Sequence, residues 1–386
     1  MHPRWLNRGV VGIGAASFLD DVGKDVSTSL LPTLLTSTIG ASAAALGVIE
    51  GIAEGLAGAA KLAGGALADE PARRRTTALG GYTATAILSA LIGLAAAAWQ
   101  VGVLRSAAWL SRGLRTPSRN TLLVDVVEPA AYGRAYGFER AMDNLGAIAG
   151  PLLALGLVSA VGVRHAILLS FVPGILAATA IFAAIRAAPR YAFSNHGALP
   201  VRIRLRPVLR GRLGRLLGAV SCFQLGNAAA TLLILRATDL ISVRAALLLF
   251  ALFNGAAAAA SLAAGRASDR SGPVRVLAAG TVAFTVAYAG FAFTGSSAAL
   301  LALLFALAGI SIGAVEPAQA AAVAALAPAE RLGSAFGALS AIESFGKLAA
   351  SAAAGALWTL VSPRAAFLYL AGWTAVSAAA LVAVRR

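Results

Sequence analysis

Again and again this chain runs apolar for the thickness of a bilayer. Residues 76–98 and 278–293 are two such stretches, and a helix rising ~1.5 Å per residue needs about twenty residues to cross a ~30 Å hydrocarbon core. Lipid offers no partner to backbone N–H and C=O groups, so a chain of such stretches folds into membrane-spanning helices. Composition agrees: 59% of the 386 residues are hydrophobic and 12% are charged, where a soluble domain carries about 25% charged residues. The first apolar run is one of many and lacks the shape of a cleavable signal. One cysteine, Cys222, excludes an intrachain disulfide.

Glycine, proline and charge clusters divide the text into about twelve segments. They are 9–38, 42–68, 76–98, 101–125, 132–160 and 163–187, then 213–240, 243–267, 272–295, 297–325, 330–360 and 364–385. The expectation is an all-α polytopic membrane protein with twelve transmembrane helices. With the N terminus in the cytoplasm, Arg4, Arg8, Arg73–Arg75, Arg134, Arg266, Arg270, Arg275, Arg331, Arg385 and Arg386 fall on that side, and the opposite loops keep Arg164, Arg244 and Arg364. That is the positive-inside pattern, and it places both termini in the cytoplasm. The net charge of +16 therefore points to lipid headgroups along the basic 186–215 segment, not to nucleic acid.

The chain also repeats. At an offset of 200 residues Gly65, Asp69, Arg75 and Pro117 fall on Gly265, Asp269, Arg275 and Pro317. Gly133, Gly137, Asp143 and Gly146 fall on Gly333, Gly337, Glu343 and Gly346, while the 17–23 region matches 221–226 at an offset of 203–204. Two parallel repeats of six spans joined by a basic linker are a transporter architecture. The expected division is a bundle over 1–189, a cytoplasmic linker over 190–212 and a second bundle over 213–386.

Two loops carry a family resemblance. GALADEPARRR (65–75) follows the second span and GRASDRSGPVR (265–275) the eighth. Both resemble the G-x-x-x-D-[RK]-x-G-R-[RK] loop of the major facilitator superfamily. Glu70 and Ala72 depart from that pattern in the first copy, Pro273 and Val274 in the second. The resemblance implies two pseudo-symmetric six-helix bundles and a cytoplasmic gate at Gly65, Asp69, Arg73, Arg74, Asp269 and Arg270. In physical terms, Asp69 is expected to accept bonds from a neighbouring helix N terminus and to pair with Arg73–Arg75.

Three acidic pairs stand at i, i+4: Asp21/Asp25, Glu50/Glu54 and Glu139/Asp143. That spacing puts both carboxylates of a pair on one helix face. Asp21 and Asp143 lie ~18 Å from their helix ends, near mid-bilayer, where an isolated charge costs about 2.5–3.5 kcal/mol. They must face a wet cavity or one another. With Arg140 they form the candidate proton-coupling or cation site, and Lys24, Lys61, Arg105, Arg112, Arg115 and Arg119 are available partners. An internal network that only fixes helix packing is the alternative.

Gly146, Gly150 and Pro151 resemble the G-x-x-x-G-P signature on the fifth span of drug–proton antiporters of this superfamily; a packing device is the other reading. Residues 110–125, with 46–55 and 136–143, resemble a bacterial facilitator subgroup, from which Trp109, Asn120 and Glu139 depart. Substrate-cavity candidates are Arg105, Arg112, Gln224, Asn227, Asn254, Glu343 and Lys347, with Glu343 and Lys347 placed to form an ion pair. No catalytic motif is present, and His2, His165 and His196 are read as terminal or loop residues, so neither an enzyme nor a cofactor or metal centre is expected. The resulting expectation is a monomeric, proton-coupled exporter of a small apolar or cationic compound in the bacterial inner membrane. A divalent-cation facilitator, or a sensor built on the same fold, is the alternative.

Overall fold

The computed structural model describes residues 5–187, 203 and 205–385. Most of the expected linker lies outside the described residues, as do His2, Arg4, His196 and Arg386. The rest is helical almost throughout. The first half holds α1 (Arg8–Thr33, continued by a π-helical turn Leu34–Thr38), α2 (Ala43–Ala68), α3 (Pro71–Leu91), α4 (Ala98–Asp125), α5 (Tyr132–Leu169) and α6 (Phe171–Ala187). The second holds α7 (Gly211–Gly226), α8 (Thr231–Thr238), α9 (Val243–Ser271), α10 (Pro273–Phe293), α11 (Ala298–Leu326), α12 (Leu332–Leu360) and α13 (Pro363–Arg385).

Local chemistry sets these ends. Asn7 caps α1 by accepting from the Val10 amide at 3.0 Å. Ser42 and Ser242, 200 residues apart, cap α2 and α9 in the same way. Pro71 and Pro273 occupy the first turn of α3 and α10, where a missing N–H costs nothing.

Among the described residues, seven stretches are long and apolar enough to cross a membrane. One of them, Pro129–Ala187, spans 59 residues, about 88 Å of helix and too long for one crossing. Gly162 divides it with φ at 78°, a left-handed conformation that glycine adopts without strain. Two crossings result. Helices α1, α2, α4 and α12 supply the remaining four, making the twelve transmembrane helices of the fold. Span seven departs from its expected continuity over 213–240. Its helix stops at Gly226, Asn227 turns to φ −102° and ψ 76°, and α8 starts at Thr231.

The chain forms two compact units. Unit 1 is Met1–Glu128 and Met142–Arg204 with Pro328–Ala341; unit 2 is Leu205–Ala327 and Ile342–Arg386 with Pro129–Ala141. Inside unit 1, α2 packs on α4, α1 on α6, and α3 on both α4 and α6. Inside unit 2, α9 packs on α11, α7 on α13, and α10 on both α11 and α13. These are the same pairings shifted by one repeat. Glycines let the fifth and eleventh spans join them. A Cβ at Gly146 would meet the Phe18 carbonyl at 2.6 Å, and one at Gly150 would meet Asp25 Cβ at 2.7 Å. The α5 backbone stays helical through Pro151, so the glycine pair acts there as a contact surface for α1. Gly146→Val is expected to overpack this contact and to lower unit 1 stability by about 1–3 kcal/mol. Thermal unfolding in detergent reads the loss.

Candidate functional site

Helix α4 carries Arg105, Arg112, Arg115 and Arg119, and the neighbouring helices of unit 1 answer each one. Arg105 Nη2 lies 2.8 Å from Glu50 on α2, and its Nη1 donates to Thr28 on α1 at 3.2 Å. Arg112 Nη2 donates to Asp21 at 2.9 Å. Arg115 Nη2 donates to Asp20 at 2.5 Å while its guanidinium covers the Tyr82 ring at 3.7 Å. Arg119 lies 3.7 Å from Asp143 on α5 and donates to Ser17 at 3.1 Å. On α1, Lys24 bridges Asp21 at 2.9 Å and Asp25 at 3.2 Å.

Asp20, Asp21, Asp25 and Asp143 thus stand against Lys24, Arg112, Arg115 and Arg119, and their formal charges cancel. Depth of burial differs across the group. Arg115 and Asp20 are buried, whereas Lys24, Asp25, Asp143 and Arg112 keep 17%, 17%, 20% and 24% of their side chains exposed. Asp20 is the residue that sequence reasoning missed. Adjacent helical side chains diverge by about 100°, so Asp20 turns to Arg115 on α4 while Asp21 and Asp25 lie against the α5 glycines. The signal was present in Arg115, which lies three residues beyond Arg112 and needs an acid of its own.

Glu54 accepts from Trp109 Nε1 at 3.1 Å, and Arg105 lies 3.4 Å over the Trp109 ring. Trp109, one of the departures from the subgroup pattern, therefore bridges Glu54 and Arg105. Asn120, another departure, accepts from Arg119 at 3.4 Å. Glu139 and Arg140 fall in the part of α5 belonging to unit 2, where they lie 3.6 Å apart.

In unit 2 the polar set is smaller. Gln319 Nε2 donates to Glu343 at 2.5 Å, the counterpart of Arg119 with Asp143. Lys347 is exposed and forms no ion pair among the described residues, so the expected Glu343/Lys347 pair gives way to Gln319. Asn227 donates to Gln224 at 3.0 Å beside the break in span seven. Gln224 packs beneath Gly346, as Asp21 packs beneath Gly146. Asn254 turns back to the Phe250 carbonyl at 3.0 Å.

The two loop aspartates cap helices. Asp69 accepts from the Ser334 amide at 2.8 Å and hydroxyl at 2.5 Å near the start of α12, with Arg331 at 3.6 Å. Asp269 accepts from the Gly133 amide at 2.7 Å and from Arg134 Nε at 2.6 Å at the start of α5. The expected pairing of Asp69 with the basic run is replaced: Arg73 holds Glu70 at 2.8 Å, and Arg74 holds Asp125 at 2.5 Å. Arg270 is exposed and makes no ion pair among the described residues. Gly65 permits the close approach, since a Cβ there would meet the Gly333 carbonyl at 2.8 Å. Burial raises the Asp69 carboxyl above its ordinary range, against the lowering by the Ser334 hydroxyl and amide.

No three of His, Cys, Asp and Glu are grouped to hold a metal ion among the described residues. Asp20→Asn is expected to strand the buried Arg115 charge and to cost about 3–5 kcal/mol. The double change Asp20→Asn with Arg115→Gln should recover most of that loss, a thermodynamic cycle that thermal unfolding can close.

Comparison with known proteins places this arrangement. The Major Facilitator Superfamily model matches residues 13–235 and again 215–386. An uncharacterized transporter of that type from Methanocaldococcus jannaschii is 27% identical over 378 residues, covering 95% of this chain and 92% of its own. A bacterial homologue of the iron transporter ferroportin, in an outward-facing state, shares the fold with TM-score 0.80 at 14% identity, over 98% of this chain and all of its own. The human organic anion transporter MFSD10 gives 0.75 at 17% identity, covering 97% and 99%. The Escherichia coli fucose:proton symporter gives 0.73 at 17% identity, covering 98% of each. With both halves of its length matched, this chain belongs to the major facilitator superfamily.

Proposed function

We propose that the protein is a secondary active transporter that moves a small solute by alternating access and draws on the proton gradient. Its two bundles, 1–189 and 213–386, rock about the 190–212 linker in a bacterial inner membrane, with both termini cytoplasmic and the protein a monomer. The relatives' names alone fix no cargo: iron, organic anions and fucose with protons share one fold, so the site must decide.

The observation that carries this reading is the partly exposed group Lys24, Asp25, Arg112 and Asp143. A carboxylate that holds a cation at one moment can hold a proton at another. Protonation of Asp143 removes the ion pair with Arg119, and protonation of Asp25 leaves Lys24 to Asp21 alone, so each proton redistributes ion pairs among α1, α4 and α5. Such exchange gives the two arrangements that alternating access requires. Export of an apolar or cationic compound fits best, because the spans of the second half keep few charges. Asp69 and Asp269 act as the gate, each charged to hold a helix N terminus.

Proteoliposomes under an imposed pH gradient, loaded with a panel of drugs, metabolites and metals, test the proposal. Solute should move with protons, and Asp143→Asn should lower coupled movement at least about tenfold, the effect of ~1.4 kcal/mol, while the melting temperature stays near wild type. Coupled transport at the wild-type rate in that variant would reject the role of Asp143. For the gate, Asp69→Asn should speed amide exchange over residues 332–340, where charge-assisted bonds hold α12. Unchanged exchange there would count against the latch.

A further inference from the structure

A groove of about 350 Å3 opens on the surface of unit 1, where the turn between α3 and α4 closes that hairpin. Its walls are Leu91, Leu94, Ala95, Trp99, Val103 and Leu104. Gln100 also borders it, but its carbonyl oxygen is turned back onto the Ala96 and Ala97 amides at 2.7 and 3.3 Å, so it lends the groove little polarity. Leu94, Trp99 and Val103 are 63%, 69% and 60% exposed. At the end of a bilayer-length helix, such a surface meets lipid. Trp99 stands where interfacial tryptophans gather, at headgroup depth.

The rim is charged. Arg164 Nη1 donates to the carbonyls of Gly93 at 3.2 Å and Ala95 at 2.6 Å, which fixes the guanidinium beside a wall of the groove. Its Nε and Nη2 make no bond to the protein among the described residues and are not buried. His165 follows it, helical and exposed, not in a loop as the sequence suggested. The second repeat lacks this arrangement: Arg364 lies over the Phe293 ring at 4.3 Å, and Ala299 stands where Trp99 does.

We infer that this groove holds one phospholipid, with an acyl chain along Leu91, Leu94 and Val103 and its phosphate on Arg164. A short apolar groove that ends beside a fixed cation matches the headgroup end of that ligand, where an acyl chain meets its phosphate. Two carbonyls hold the guanidinium in place before the phosphate arrives, so little ordering remains to be done on binding. The inference is independent of the transport reading.

Native mass spectrometry of the full chain, released from detergent with palmitoyl-oleoyl phosphatidylglycerol added, tests it. One lipid should survive activation that strips the rest. Val103→Trp, which fills the groove from an exposed position, should abolish that retained lipid, and Leu94→Trp does the same from the other wall should the first variant melt early. Arg164→Gln should weaken retention about fivefold, as should diacylglycerol with the same chains, the worth of one basic residue near a lipid phosphate. Wild-type retention in both tryptophan variants would place the lipid elsewhere and overturn the groove. Equal retention of diacylglycerol and phosphatidylglycerol would overturn the contact with Arg164.

Discussion

A guanidinium in a membrane-spanning helix must be matched, and α4 presents four of them. Their partners lie on three other helices: Arg105 pairs with α2, Arg112 and Arg115 with α1, Arg119 with α5. The rotation of α4 about its own axis therefore fixes the rotation of three neighbours. Buried ion pairs add little net stability over apolar packing of the same shape, yet breaking one is costly.

The second repeat provides an internal control. Where unit 1 has Arg105, Arg112, Arg115 and Arg119, unit 2 has Phe305, Ile312, Val315 and Gln319. The helix pairings are the same. Aromatic contacts hold them instead, with Phe223, Phe284 and Tyr288 in sequence at 5.4 and 4.4 Å, and Phe291 against Phe305 at 5.3 Å. Six spans can thus be packed without an arginine ladder. The architecture by itself does not call for the charges of unit 1.

Much of this was legible in the sequence, and the limits have physical causes. Span number and repeat register follow from length and offset, which survive any side-chain detail. Spacing at i, i+4 shows that Asp21 and Asp25 share a face. It does not show which helix that face meets, so the partners of Arg112 and Arg115 and the role of Asp20 came from the structure. The break after Gly226 was hidden because apolar residues continue on both sides of it, and nothing in hydropathy marks an unwound turn. At Gly162 the break was anticipated, since a glycine there interrupts a run too long for one crossing. Lys347 misled because helical spacing permits a pair with Glu343 but cannot weigh it against Gln319 on another span.

What the repeats share and what they changed are separable along α5. Its first residues, Gly133 and Arg134, hold Asp269, as Ser334 holds Asp69 in the other repeat. Ten residues on, about 15 Å along the same helix, Asp143 meets Arg119 where the other repeat sets Glu343 against Gln319. The end contacts are duplicated and the interior chemistry has diverged.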